Sequence, residues 1–188
     1  MPSSAPDPAT LLALLREPRA TLRQQLENPD RRVEAGLAAL AGIAVILGGS
    51  GGLDIAASFE HSPLLIQLIA GVPVGLAGWL LTAFVYSHMG RLLGGDAGFE
   101  QMRTVVAWSL VPLVLGLGLL LPLAVSGVTG DSSFLPTVLG FLLAMYCSGL
   151  AVYFLALAHG FSLWRAMLTQ IIGALVLGMV QFIIGGVF

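Results

Sequence analysis

The stretch GGDAGFEQMR at residues 94–103 is where a polar, glycine-rich connection gives way to an apolar run that contains Trp108, Pro112 and Gly116. Its features return 62 residues later in three matches: Gly98-Phe99 with Gly160-Phe161, Arg103 with Arg165, and Val114-Leu115-Gly116 with Val176-Leu177-Gly178. We interpret the two copies as a repeated unit in which the chain turns and re-enters an apolar medium. Chance similarity in a sequence of biased composition is the alternative.

The composition identifies lipid as that medium. Of the 188 residues, 57% are hydrophobic and only 10% are charged, whereas soluble domains carry about 25% charged residues. The net charge of −2 argues against nucleic acid as a partner, because nucleic-acid binding requires a basic face. Cys147 is the only cysteine, which excludes disulfides within one chain and metal sites ligated by several cysteines.

Five apolar stretches follow a polar segment at residues 1–32. They predict transmembrane helices at about residues 33–53, 64–88, 104–126, 134–158 and 165–188. Each is close to the roughly 20 residues that cross about 30 Å of hydrocarbon. Lipid offers no hydrogen bonds to the backbone and the stretches lack two-residue alternation, so helices are expected rather than strands. The predicted fold class is all-α: a polytopic membrane protein with a five-helix domain at residues 33–188. Spans two–three and four–five would form the parallel repeat.

The N-terminal segment is predicted to be partly an amphipathic helix, broken or kinked at Pro18. Its apolar face would carry Leu11, Leu15, Leu22 and Leu26, with Arg16, Arg19 and Arg23 beside it. One interpretation places it on the cytosolic membrane surface, where each arginine near anionic lipid contributes about 1 kcal/mol. The other is a helix pair that caps the bundle.

The arginines predict the orientation. All eight basic residues are arginine, and each lies before the first span or in the connections between spans two and three or four and five. The positive-inside rule therefore places the N-terminus in the cytosol and the C-terminus on the opposite face of the cell membrane. No cleavable signal peptide is expected, since residues 1–30 lack a basic start followed by an apolar core. Arg103 and Arg165 would reach lipid phosphates from the cytosolic turns.

The spans offer little for chemistry. No Asp, Glu, Lys or Arg lies in the middle of a predicted span, which lowers the expectation of a proton-coupled pump or an ion channel. The amides Gln67, Gln170 and Gln181 could line a polar path, while the favoured alternative is hydrogen bonding between helices, at about 0.6 kcal/mol per contact. Pro112 should kink its helix and open a cavity.

No catalytic, cofactor or metal site is predicted. His88 and His159 fall near Asp96 and Glu100, yet a metal site needs three or four convergent ligands and the usual spacings are missing. The serines lack the sequence context of a nucleophile. Gly71 and Gly75 with Gly78 form a small-residue surface for close helix approach; packing inside the bundle is the favoured interpretation, and contact in a homo-oligomer is the alternative. We therefore expect a protein that is not an enzyme.

The sequence resembles the Yip (Ypt-interacting protein) domain family of five-span membrane proteins, in its prokaryotic form. The resemblance covers roughly residues 15–185 and is carried by the polar N-terminal lead, Leu93-Gly94-Gly95, Gly98-Phe99, Pro112, His159-Gly160-Phe161-Ser162 and Arg165-Ala166. It implies a five-helix bundle with a cytosolic N-terminus and a role in organising membranes or recruiting partners. Eukaryotic relatives engage Rab-type GTPases, but their acidic-Leu-x-Gly-Pro motif is missing here, so GTPase binding is not carried over.

The predicted function is a non-enzymatic scaffold that binds membrane lipids and a membrane or cytosolic protein partner. The candidate contacts to that partner or to lipid headgroups are Arg19, Arg23, Arg103 and Arg165. The alternative is a small transporter or lipid-moving protein that uses the Gln67, Gln170 and Gln181 amides near the Pro112 kink.

Overall fold

The computed structural model describes residues 16–48, 63–116, 118 and 134–185. Helices are the only regular structure in these ranges, which confirms the all-α prediction. In these ranges, six helices of ten residues or more are defined in chain order: α1 (Pro18–Glu27), α2 (Arg31–Gly48), α3 (Leu64–Leu92), α4 (Phe99–Ser109), α5 (Phe134–His159) and α6 (Leu163–Gly185).

Three of these helices are long and apolar enough to cross a membrane. They are Leu64–Leu92, the part of α5 from Val138 to His159, and the part of α6 from Leu163 to Val180. The 18-residue α2 carries Arg31, Arg32 and Glu34 in its first turn. The third predicted span extends beyond residue 116 into a stretch outside the described residues. Five spans therefore stay a prediction.

α1 packs on the bundle. Pro18 occupies the first turn of this helix, a position that tolerates its missing N–H, and Glu17 before it is not helical. Thr21 and Leu22 are buried, and the helix contacts α4 and α5. Residues 18–27 thus pack against the bundle through one buried face. The predicted amphipathic stretch before residue 16 lies outside the described residues.

Glycines set the spacing between α2 and α3. A Cβ added at Gly42 would lie 2.2 Å from Gly71 O and 2.4 Å from Gly75 Cα, and one at Gly75 would lie 2.1 Å from Ala38 O. Backbones approach this closely only where a side chain is missing. Gly71 and Gly75 of the predicted small-residue surface therefore pack inside the bundle against α2, whereas Gly78 is exposed.

α4 is the central helix of the core. It contacts α1, α2, α3 and α5, and every residue from Met102 to Ser109 is buried. A helix that is covered all round needs small or apolar side chains on every face, and here Val105, Val106 and Ala107 fill that role beside Trp108. The larger side chains packed around it include Leu22, Leu37 and Phe154.

The helix breaks near Pro112. α4 ends at Ser109 with Leu110 as its cap, and a second helical segment, residues 111–116, continues the chain. Pro112 has no N–H to donate to the carbonyl four residues earlier, which favours a break at this level. The interruption lies where the sequence predicted a kink.

Candidate functional sites

The two turns that carry the repeat lie against each other. One turn joins α3 to α4 at residues 93–98, and the other joins α5 to α6 at residues 160–162. Gly94 and Gly160 have φ angles of +86° and +68°, a region that glycine enters without strain. The Ala97 N–H donates a 3.2 Å hydrogen bond to His159 Nδ1, across 62 residues. Two residues related by the 62-residue offset of the sequence matches are therefore in direct contact.

His159 occupies a recess formed by two glycines. A Cβ at Gly90 would lie 2.1 Å from Nε2 of the ring, and one at Gly95 would lie 2.3 Å from Nδ1. The ring stacks on Phe161 at 4.9 Å between centroids and 4° between planes. His159 is 4% exposed. Its position holds the two turns together, so its role in this geometry is structural.

Exposed arginine and large apolar side chains surround the two turns. We call this set the paired-turn surface: Arg91, Leu92, Leu163, Trp164 and Arg165. Leu92 is 77% exposed and Trp164 is 64% exposed. Arg165 leans toward the other turn, since a Cβ at Gly94 would lie 3.8 Å from its Nη1. The surface combines cationic and aromatic groups, which suit a membrane interface or a protein partner.

Arg103 lies inside the bundle, away from that surface. Its Nε donates a 2.8 Å hydrogen bond to Glu34 Oε2, and the two side chains are 8% and 1% exposed. Thr104 Oγ1 donates to the other carboxylate oxygen of Glu34 at 2.5 Å. This burial argues against Arg103 as a contact to partners or headgroups. The three other predicted arginines, Arg19, Arg23 and Arg165, are exposed.

The buried pair continues into a wider network. Trp79 Nε1 donates to the Arg103 carbonyl at 2.8 Å, and the Arg103 guanidinium carbon lies 5.7 Å from the centroid of the Trp79 ring. Arg103 Nη2 lies 2.8 Å from Glu100 Oε2, and Arg31 reaches Glu100 Oε1 at 3.3 Å on the exposed side. The network ties α2, α3 and α4 together at one end of the bundle.

Glu34 was not selected by sequence reasoning. The available signal was an acid at the start of the first apolar run, beside Ala35, Gly36 and Leu37. A carboxylate entering lipid or a core needs a cation, but several arginines could have supplied it. Only the three-dimensional packing selects Arg103.

A cavity of about 340 Å³ lies between the helices near the middle of the bundle. We call it the mid-bundle cavity. Its walls are mostly small and apolar side chains, and its lining includes Ala38, Gly42, Gly75, Gly78, Thr82, Tyr86, Ser109, Leu110, Leu113, Ala144, Cys147, Ser148 and Gln170. Ser109, Leu110 and Leu113 place it beside the interruption at Pro112. A cavity of this size is at the lower end of the range for small-molecule sites, about 300–1,000 Å³.

The predicted amides are not assembled into one path. Gln170 lines the cavity and its Nε2 donates to Ser148 Oγ. Gln67 lies in the first turn of α3, whereas Gln170 lies seven residues into α6. α3 ends and α6 begins at the paired-turn surface, so at 1.5 Å per residue the two amides differ in depth by roughly 25 Å. The side chain of Gln181 lies outside the described residues.

The described part of the chain contains no group of three His, Cys, Asp or Glu side chains placed to hold a metal ion. His88 is exposed and separate from His159, with Nδ1 at 2.8 Å from the Phe84 carbonyl. No residue is assigned to a metal or cofactor.

These features define a helical membrane protein whose two hairpin ends form one mixed basic and aromatic surface. The chain belongs to the Yip1 domain family, whose model matches residues 12–185. The family predicted from the turn motifs is thereby confirmed. Neither the curated proteins nor the solved structures include a match to the chain.

Proposed function

We propose that this protein is a non-enzymatic scaffold that recruits a partner to the membrane through the paired-turn surface. The observation that carries the proposal is the exposure of Leu92, Trp164 and Arg165 around two turns that are locked together. Partner-binding surfaces are enriched in aromatic and arginine side chains, and binding sites are held in place best on a rigid base. The Ala97–His159 hydrogen bond and the glycine recess supply that base.

The arginine distribution supports a cytosolic location for this surface. Arg91 and Arg165 flank the two turns. The positive-inside rule predicts that Arg19 and Arg23 of α1 lie on the same side of the membrane as these turns. Arg91 and Arg165 would attract an anionic protein partner or anionic lipid, and the exposed Asp96 in the first turn offsets part of their charge.

The test is affinity isolation from the native host through an N-terminal tag, followed by mass spectrometry. The variant combines Trp164→Ala with Arg165→Gln, and we expect it to lose a partner that the wild type recovers in stoichiometric amount. Phe182→Ala is the matched control, because Phe182 is an 83% exposed aromatic at the other end of the same helix. Arg32→Gln controls for the loss of one exposed arginine.

Equal recovery from the wild type and the double variant would contradict the scaffold proposal. Loss from Phe182→Ala as well would point to the lipid-facing surface of α6 instead of the paired turns.

The mid-bundle cavity favours a second candidate function, a small transporter or lipid-moving protein. Gln170 and Ser148 give the cavity a polar edge next to the break at Leu110. A flux assay in liposomes tests it, with a fluorescent lipid and a set of small solutes as probes. Rates equal to those of protein-free liposomes would contradict this second function.

A further inference from the structure

The mid-bundle cavity is accessible from the side of the bundle in the described part of the chain. Gly78, Ala144 and Ser148 line it and are exposed. Gly78 is the central residue of the 29-residue α3, and Cys147, also in the lining, lies at the middle of α5. α3 and α5 are both long and apolar enough to span the bilayer, so the opening lies between two candidate membrane-spanning helices.

The occupant of the cavity must be uncharged. Its lining contains no Asp, Glu, Lys or Arg, and the buried Arg103 is already paired with Glu34. An unpaired phosphate or ammonium group in a low-dielectric site would lack a counter-charge, at a cost of several kcal/mol. The lining therefore selects against phospholipid headgroups.

The occupant must also offer a hydrogen bond. Gln170 uses Nε2 to reach Ser148, while its Oε1 is buried and accepts no hydrogen bond from the described residues. Ser109, by contrast, already donates to the Val106 carbonyl at 2.8 Å. An unsatisfied buried amide atom costs about 1–3 kcal/mol. A hydroxyl both donates and accepts, so it satisfies the free amide atom in either orientation of the side-chain amide.

We propose that the mid-bundle cavity binds a neutral, hydroxyl-bearing lipid, of which diacylglycerol is the simplest example. The lipid hydroxyl lies at Gln170, and the part of one acyl chain next to the glycerol fills the apolar volume. The rest of the lipid leaves the cavity through the opening at Gly78 and Ala144. The size of the cavity admits part of one lipid, and the lateral opening lets the rest stay in the bilayer.

The proposed lipid is the ligand of the second proposed function. Only the movement of this lipid across the membrane rests on that function. Binding stands without transport, since a scaffold can also hold a lipid. The experiment below therefore measures binding and movement separately.

Binding is tested by photolabelling in phosphatidylcholine vesicles. The probe is diacylglycerol with a diazirine on one chain, and the comparator is phosphatidylglycerol with the same chain. The wild type should be labelled by diacylglycerol at cavity-lining peptides of α3, α5 or α6, and about tenfold less by phosphatidylglycerol, which corresponds to about 1.4 kcal/mol. Equal labelling by both probes would overturn the proposal, and so would labelling confined to lipid-facing residues such as Phe182.

Gly78→Leu fills the opening. A Cβ at Gly78 meets no atom within 4 Å, so the new side chain extends into open space at the edge of the cavity. Gly149→Leu is the matched control, since Gly149 is also exposed, also has open space around its Cβ, and does not line the cavity. Diacylglycerol labelling should fall about tenfold in Gly78→Leu and stay unchanged in Gly149→Leu. Unchanged labelling in Gly78→Leu would contradict the assigned position.

Gln170→Leu tests the hydroxyl. The wild type should prefer diacylglycerol to its O-methyl ether, and Gln170→Leu should lose that preference while keeping the labelled peptides. If the preference survives, the Gln170 assignment fails. Lipid movement is then measured in the same vesicles: cavity labelling without movement would retain the binding site and reject the second function.

Discussion

Arg103 Nε donates a hydrogen bond of 2.8 Å to Glu34 Oε2 between two helices, with both side chains almost fully buried. The pair joins the start of α2 to α4, the central helix of the core. Thr104 Oγ1 donates a hydrogen bond to the other carboxylate oxygen of Glu34, and Trp79 Nε1 donates one to the Arg103 carbonyl. The residue predicted as a surface contact is thus a structural element of the helix bundle.

Removing one partner of this pair should destabilise the fold. Glu34→Ala leaves a buried guanidinium without its main counter-charge, at a cost of about 3–5 kcal/mol. The double variant Glu34→Leu/Arg103→Met should recover much of that loss, because an apolar pair avoids the desolvation of two charges. Thermal unfolding in detergent measures both.

Arg31→Ala is the control for the Glu34 experiment. Its ion pair with Glu100 is exposed, with side chains 73% and 57% accessible, so the change should stay within about 1 kcal/mol. If Arg31→Ala destabilised the fold as much as Glu34→Ala, the loss of stability would not depend on the burial of the ion pair, and the prediction would fail.

The contact between α2 and α3 should not tolerate a methyl group. Gly75→Ala would place a Cβ 2.1 Å from the Ala38 carbonyl oxygen, and the helices must separate, at a cost of about 1–3 kcal/mol. Gly36→Ala on the same pair of helices meets no atom within 4 Å and should be neutral or stabilising by up to about 1 kcal/mol. Equal unfolding temperatures for the two variants would contradict this packing.

Substitutions of His159 and of a glycine in its recess should have coupled effects on the free energy of unfolding. Gly90→Ala would place a Cβ 2.1 Å from His159 Nε2, and the three atoms nearest to it all belong to the His159 ring, so we expect a loss of about 1–3 kcal/mol in the wild-type background. In a His159→Ala background the ring is absent and the same change should cost much less. A double-mutant cycle measures the difference, and an interaction energy near zero would mean that ring and glycine are not in contact.

The orientation is testable by labelling. In a Cys147→Ala background, Asp96→Cys places a thiol at an exposed position of the first turn. A membrane-impermeant maleimide should modify it in inverted vesicles and not in intact cells, because the arginine-rich connections are expected in the cytosol. Labelling in intact cells would reverse the proposed topology.

Local sequence features were sufficient for the helical fold and the family. An apolar segment in lipid must satisfy its backbone hydrogen bonds internally, so the positions of the apolar segments in the sequence predict the helices. The turns were also predictable from local sequence. Gly94 and Gly160 adopt positive φ angles, which glycine can enter without strain because it has no side chain. The small-residue surface on α3 was also predicted, because close packing needs only the i, i+4 spacing of Gly71 and Gly75.

The candidate sites depended on contacts that sequence does not encode locally. Arg103 and Arg165 occupy equivalent positions in the repeat, yet one is buried on Glu34 and the other is exposed beside Gly94. Gln67 and Gln170 are similar amides in apolar runs, yet only Gln170 lines the cavity. The sequence by itself determined the medium, the helices and the family, because those follow from the transfer of each segment between water and lipid. Only the tertiary structure decided which polar groups are paired and where the cavity opens, because burial and pairing depend on residues far apart in the chain.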